Sequence, residues 1–385
     1  MYGGGKALNA KRIKLIDKPF LITLLLILTL GLVIQSSASL SLVSDVLYYV
    51  KKQLLMISLG LLGAMFIIRY DISEFKVLGT LLYLLSLGLL IAVLLFGTEV
   101  RGTTGWISLG PLPAVQPAEF TKIMLIIAFA DFVNRRRGEL DTLAKILPCL
   151  AYMSVPFFLI MMQPDLGTAL VYIAITIIML FVAGANPRVI LALMGGAVVL
   201  VSLVFILHFK WGMPIPLEDY QLKRLTVFLD PYNDGQGGRG AGWNTIQSLV
   251  AIGSGGLAGK GLYNGSQVQL NFLPEHHTDF IYAVIGEELG FIGAAALILL
   301  YAVLILRSLY IASEARDFFG SLVVIGVTAM WLFHIFENIG MSIGIMPITG
   351  IPLPFISYGG SSMVTNLLAV ALIINVNIRG KQIVF

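Results

Sequence analysis

Long apolar runs alternate with short polar connections along the whole of this 385-residue chain. A bilayer core takes roughly 20 apolar residues of helix. Ten runs meet that length within a few residues: 19–37, 53–69, 77–97, 118–134, 144–162, 166–184, 188–209, 279–306, 318–342 and 360–378. The pattern predicts an all-α polytopic membrane protein of about ten transmembrane helices, with both termini on one side. One interval breaks the rhythm. Residues 210–278, between the seventh and eighth helices, are too many for plain connection, and long structured loops are usually functional. The interval holds a charged stretch from Glu218 to Asp234, glycine-rich patches at 235–242 and 253–261, and an amphipathic piece at 243–253. The whole of 1–385 reads as one transmembrane domain carrying this loop.

Composition agrees. Hydrophobic residues make up 58% and charged residues 12%, against about a quarter charged in soluble domains. A single cysteine, Cys149, excludes an intrachain disulfide, and four histidines with no Cys/His cluster argue against structural zinc. The net charge of +4 is topological in such a chain rather than a nucleic-acid signal.

Charge placement orients the bundle, because basic residues gather in cytoplasmic loops. With the N-terminus inside, 16 of the 25 basic residues fall inside: Lys6, Lys11, Arg12, Lys14, Lys18, Arg69, Lys76, Arg135, Arg136, Arg137, Lys145, Arg188, Arg307, Arg316, Arg379 and Lys381. The short outer loops hold only Lys51, Lys52 and Arg101. Reading residues 1–40 as a cleaved leader would leave nine spans and put the downstream charges out of phase.

In this orientation the fourth, sixth, eighth and tenth helices begin at the outer face, and each begins with a polar motif. These are 116-QPAEFTK-122, 163-QPDLGT-168, 276-HHTDF-280 and 357-SYGGSS-362. Free backbone N–H groups and positive dipole ends thus meet at one depth, which suits a phosphate-bearing headgroup. Ordinary capping explains any one of these starts; four on one side point to a shared site. Glu119 and Lys122 share a helix face and can pair, and ionisable groups at membrane depth default to functional hypotheses. Asp165 has no basic neighbour in sequence, so its partner must come from elsewhere. Asp131, beside Arg135, reads as structural. Asp279 falls in the first turn of the eighth helix, where a carboxylate can serve as general base or merely as a cap. Glu287 and Glu288, about 12 Å deeper, suggest a buried polar network that His334 and Glu337 could join. His276 and His277 point apart on a helix and do not make a metal site.

The motifs just quoted, together with 246-IQSLVAIGSGGLAGKG-261, 273-LPEHHTDFIYAVIGEELGFIG-293 and 338-NIGMSIGIMPITGIPLPFISYGGSS-362, resemble the SEDS family (shape, elongation, division and sporulation) over nearly the whole chain. The last of these and 224-RLTVFLDPYND-234 look more like the elongation branch than the division branch. The resemblance implies a peptidoglycan glycosyltransferase that polymerises lipid II into β-1,4 glycan at the outer face of the bacterial cytoplasmic membrane. It implies a class B penicillin-binding protein (a transpeptidase) as partner, within the elongation machinery. It places the family's essential aspartate at Asp279, its acid and lysine at Glu119 and Lys122, and its Pro-Asp-Leu-Gly aspartate at Asp165. Many relatives have Arg-Trp before the Gln-Pro motif; here Gly105 precedes Trp106, Arg101 lies four residues before Gly105, and Ala118 replaces the usual serine.

The expected site is therefore Asp279 as base, with Glu119, Lys122, Asp165, Arg224, Lys260, His277, Thr278 and Ser357 around the substrate. Arg224, Lys260, Lys122 and a divalent cation (Mg or Mn) held by the substrate's pyrophosphate are the candidates to meet leaving-group charge. No organic cofactor and no nucleic acid are expected. A lipid II flippase and a scaffold that only activates the transpeptidase are the rival readings. A transporter favours broken helices and midplane sites, whereas these motifs sit at one interface.

Overall fold

The computed structural model describes residues 15–40, 42, 47–100, 103–108, 110, 114–214, 222, 224, 227–234 and 236–380. Lys6, Lys11, Arg12, Lys14, Arg101, Glu218, Lys223 and Lys381 lie outside the described residues. A helix occupies each of the ten predicted stretches. The first four of these are α1 (Lys18–Ala38), α2 (Tyr48–Arg69), α4 (Gly79–Phe96) and α5 (Pro117–Asn134), with a short α3 (Ile72–Val77) ahead of α4. They continue as α6 (Leu143–Met161), α7 (Leu166–Val182) and α8 (Pro187–Trp211). After α9 (Trp243–Gly255) and the single turn α10 (Ser266–Gln269) come α11 (Ile281–Ser313), α12 (Phe318–Ser342) and α13 (Gly360–Gly380).

Eight of these helices are long and apolar enough to cross a bilayer. The other two are informative exceptions. Helix α7 is 17 residues long, and α5 carries Glu119, Lys122 and Asp131 within 18. Both lie inside the bundle, so protein rather than lipid surrounds their polar groups. Helices α12 and α13 are mostly buried, whereas α8 is almost wholly exposed. α2 packs along α13, α4 along α5, and α12 against both α7 and α11. An apolar cavity of about 330 Å³ lies between α6, α7 and α8, lined by Ile146, Phe157, Tyr172 and Leu193 among others.

At the end opposite the polar motifs, Asp17 caps α1 and pairs with Arg307 of α11, and Asp131 pairs with Arg135. That agrees with a structural reading of Asp131.

Three features depart from the sequence pattern. A small antiparallel hairpin, β1 (Thr98–Val100) with β2 (Thr103–Trp106), fills the loop before α5. Helix α2 begins five residues ahead of the predicted 53, drawing Lys51 and Lys52 into its first turns. Helix α11 runs on to Ser313 but is broken at Gly290, where φ is 66° and ψ −166°. The residues after α9 dock on this break. Lys260 N and Gly261 N donate to Glu287 O and Glu288 O at 3.0 Å each, and Phe291 N and Ile292 N donate to Gly256 O and Leu257 O at 2.9 and 3.1 Å. Backbone groups freed by a helix break at membrane depth must find such partners inside the protein. The approach is close enough to require glycine: a Cβ at Gly259, itself at φ +80°, would sit 2.1 Å from Glu288 O.

The other glycine-rich patch is folded by one carboxylate. Asp234 accepts hydrogen bonds from the backbone N–H groups of Gln236, Gly238, Gly240 and Gly242 at 2.7–3.2 Å. These bonds, the one from Gly238 first, pull its pKa from an ordinary 3.8 down to about 2. A depressed acid stabilises the fold above its unfolded pKa and loses that contribution as pH falls through its folded pKa. The amides of Gln236, Gly238, Gly240 and Gly242 should therefore keep high protection, relative to their intrinsic exchange rates, above about pH 4 and lose it as pH drops towards about 2. Hydrogen–deuterium exchange at Gly238 and Gly240 measures this, and Asp234→Asn should show low protection at every pH.

Candidate active site

The four polar helix starts converge, chiefly through backbone and glycine contacts. Gln116, just before α5, donates from its backbone N–H to the Ser361 hydroxyl oxygen of α13 at 3.0 Å, and its side-chain amide nitrogen lies 3.5 Å from Asp165 Oδ2. Asp165 is the N-cap of α7, accepting from Thr168 N at 2.9 Å and Thr168 Oγ1 at 2.8 Å. Among the described residues, the partner that sequence could not supply for Asp165 is thus an amide, Gln116, and not a cation. The β-hairpin backs onto the same place: a Cβ at Gly105 would lie 3.8 Å from Gln116 Nε2 and 4.0 Å from Gln163 Oε1.

The stretch 343–359, between α12 and α13, links this corner to Asp279. At Gly167 of α7 a Cβ would meet Thr349 O at 3.1 Å, and at Gly350 it would meet Asp279 Oδ2 at 3.4 Å. Gly350 has φ +76°, a left-handed conformation that glycine adopts without strain. Asn338 of α12 fixes the same junction, donating from Nδ2 to Asp279 O and Ile351 O at 2.8 Å each.

Asp279 itself is corrected in one respect. It does not lie in the first helical turn; α11 begins at Ile281 with Phe280 as its N-cap. Asp279 sits in the turn before it, partly exposed. Its carboxylate thus stands at the mouth of the site, with Oδ2 turned towards Gly350.

Below it, Glu119 and Lys122 of α5 form a buried ion pair, Nζ to Oε1 2.7 Å, with side chains about 5% and 2% exposed. Lys122 Nζ also lies 3.3 Å from His334 Nε2. The ammonium can only donate, so Nε2 accepts and the imidazole proton sits on Nδ1. This corrects two expectations. His334 joins the Glu119–Lys122 pair, and Glu337 bonds Thr349 Oγ1 at 2.9 Å; neither joins Glu287 and Glu288. Lys122, closed off from solvent, shapes the wall of the site and does not face a leaving group. His334, Glu337 and Asn338 share one face of α12. Each keeps a buried polar atom with no protein partner among the described residues: His334 Nδ1, Glu337 Oε2 and Asn338 Oδ1. So does Glu119 Oε2. Buried polar atoms normally find partners, and these four mark the polar side of the α5–α12 contact. The i, i+3, i+4 spacing of the three α12 residues is the signal in sequence that could have placed them here.

Lys260 belongs elsewhere. Its ammonium is held by Glu287 Oε1 at 2.6 Å and Ser266 Oγ at 2.7 Å, beside Glu288, which accepts from Ser37 Oγ at 2.6 Å. It neutralises the buried acids at the helix break and is not a cation of the site. Arg224 remains near, its guanidinium 3.4 Å from Ile348 O, two residues before Gly350. Ser357 is a latch, accepting from Leu353 N at 2.8 Å and donating to Thr278 O at 2.6 Å. Thr278 Oγ1 turns to Glu275, and the His277 ring lies tilted against Tyr49 at 5.0 Å between centroids. Among the described residues no group of three or more His, Cys, Asp or Glu side chains is placed to hold a metal.

A helical bundle with one polar, acid-bearing mouth and an ion pair buried beneath it is the frame of a multi-pass membrane enzyme. The chain belongs to the cell cycle protein family that takes in FtsW, RodA and SpoVE, whose model matches residues 17–382. It is 40% identical over 303 residues to the peptidoglycan glycosyltransferase MrdB of Escherichia coli, covering 78% of each chain. It is 37% identical to the stage V sporulation protein E of Bacillus subtilis, over 94% of this chain and 96% of that one. Among solved structures it matches the rod shape determining protein RodA of Thermus thermophilus with a TM-score of 0.68, 29% identity and 95% and 98% coverage. A chain from a peptidoglycan synthase complex, described as coordinating polymerization and crosslinking, matches with a TM-score of 0.78, 30% identity and 94% and 97% coverage.

Proposed function

We propose that this protein is a peptidoglycan glycosyltransferase, polymerising lipid II into β-1,4 glycan at the outer face of the cytoplasmic membrane for cell elongation and rod shape. The observation that carries the reading is Asp279, a partly exposed carboxylate on a non-helical turn against Gly350. MrdB and the RodA of Treponema pallidum, 34% identical over 394 residues, bear that activity in their names.

In this reading Asp279 takes the proton of the GlcNAc 4-hydroxyl of an incoming lipid II as that oxygen attacks the anomeric carbon of the lipid-linked donor. The glycosidic bond forms, the bond to the donor's diphosphate breaks, and a single displacement inverts the α-linked donor to a β linkage. Proton transfer of this kind supplies about 10²–10⁴ in rate. Arg224 and the starts of α5 and α7 are the groups left to meet the diphosphate's charge. A divalent cation would have to be carried by that diphosphate, and no step here depends on it. The match to a synthase complex supports a class B penicillin-binding protein as partner. The acidic and basic groups of the site gather at one end of the bundle, which favours chemistry on a headgroup over transport.

Purified protein with its transpeptidase partner, given lipid II, should yield glycan ladders. Lipid II crossing vesicle membranes with no ladder would instead support a flippase.

A further inference from the structure

Helix α2 meets the bundle along one stripe. Gln53 is buried and donates from Nε2 to Ser357 O at 3.1 Å. Gly60 faces Leu367, where a Cβ would come within 2.6 Å, and Met56 rests against Gly360. Leu54, Leu55, Leu59 and Leu62, on the other side, are exposed. Tyr49 lies one turn before Gln53 and so continues the bundle-facing stripe.

There Tyr49 gathers an aromatic cluster from three elements. Its ring lies 5.0 Å from His277, 4.8 Å from Tyr358 and 5.2 Å from Tyr48 between centroids. Lys52 Nζ stands 4.2 Å from the centre of the Tyr48 ring and donates to its hydroxyl at 2.5 Å. The backbone ties two members of the cluster together: Tyr358 N donates to His277 O at 3.0 Å, beside the Ser357 latch. Tyr48 is 38% exposed, and Tyr49, His277 and Tyr358 are each partly exposed. His277 is two residues from Asp279.

Neither usual explanation covers these rings. Tyrosines that anchor a protein at the membrane interface point to lipid, and Tyr49 points to the bundle. Core aromatics are buried, and these are not. Partly exposed rings edged with hydroxyls, an imidazole and an ammonium suit a ligand that is itself amphipathic, with flat C–H faces and polar rims. A pyranose ring is such a ligand; a hydrocarbon tail has no use for the polar edges.

We propose that Tyr48, Tyr49, His277 and Tyr358 form a saccharide subsite that holds a sugar of the glycan strand next to the reaction centre. The assignment rests on the glycosyltransferase reading. The subsite keeps the growing strand engaged between successive additions, so its loss shortens the product.

The test compares glycan ladders from wild-type protein with its partner, Tyr49→Leu and Tyr49→Phe. Tyr49→Leu should shorten the strands about three- to tenfold, the loss expected for one stacking ring, and Tyr49→Phe should restore most of the length. Wild-type lengths from Tyr49→Leu overturn the subsite alone; no polymer from wild-type protein overturns both readings. Should Tyr49→Leu not fold, saturation-transfer NMR of wild-type protein with chitotetraose decides. Transfer from aromatic protons to the sugar supports the subsite, and none overturns it.

Discussion

Asp279→Asn should abolish glycan ladders while leaving the protein folded and bound to the proposed transpeptidase partner. The substitution keeps the size of the side chain and removes only its capacity to take a proton. A drop of about 10²–10⁴ is what loss of a general base costs. Asp279 lies partly exposed in the turn before α11, and asparagine is nearly isosteric with aspartate, so the fold should tolerate the change. The main-chain bond from Asn338 to Asp279 O survives the change. The measurement is lipid II polymerisation by purified complex, with melting temperature and partner binding as controls. Undiminished ladders would remove Asp279 from the mechanism.

Lys122→Met should do its damage through stability. It leaves Glu119 buried against α12 without its cation, and breaking a buried ion pair from one side costs about 3–5 kcal/mol. His334 also loses the ammonium that its Nε2 accepts from. Adding Glu119→Gln to Lys122→Met should recover much of the loss, since two neutral side chains impose no charge on the bundle. Thermal unfolding of the two single variants and the double gives the coupling directly. Additive losses would mean that the pair does not interact as its 2.7 Å separation implies. The double variant should still polymerise poorly, because the wall beneath Asp279 has lost its charges.

The wild-type contacts explain how a few polar residues survive among so much apolar surface. Each buried acid at membrane depth has a near partner: Glu119 has Lys122, Glu287 has Lys260, Glu288 has Ser37 and Glu337 has Thr349. Of these four, only Glu119 takes its partner from its own helix, as Asp131 does with Arg135 at the other end of α5.

That division marks what could be read from the sequence. Ten helices, their approximate ends and the gathering of polar motifs at one end followed from apolar run length, from charge placement and from Pro and Asp at helix starts. All are local properties, set by the 1.5 Å rise of a helix and the thickness of a bilayer. The Glu119–Lys122 pair was legible for the same reason, being three residues apart on one helix. The long-range partnerships were not. Nothing near Lys260 in sequence says that it will neutralise Glu287, 27 residues on, instead of serving the site. Nothing near His334 assigns it to Lys122, 212 residues away. The break at Gly290 was hidden inside an unbroken apolar run, and the glycines at 256–261 showed their purpose only once that break lay beside them. A helix's length and polarity are written in consecutive residues, whereas the partner of a buried charge is settled by which helices pack together.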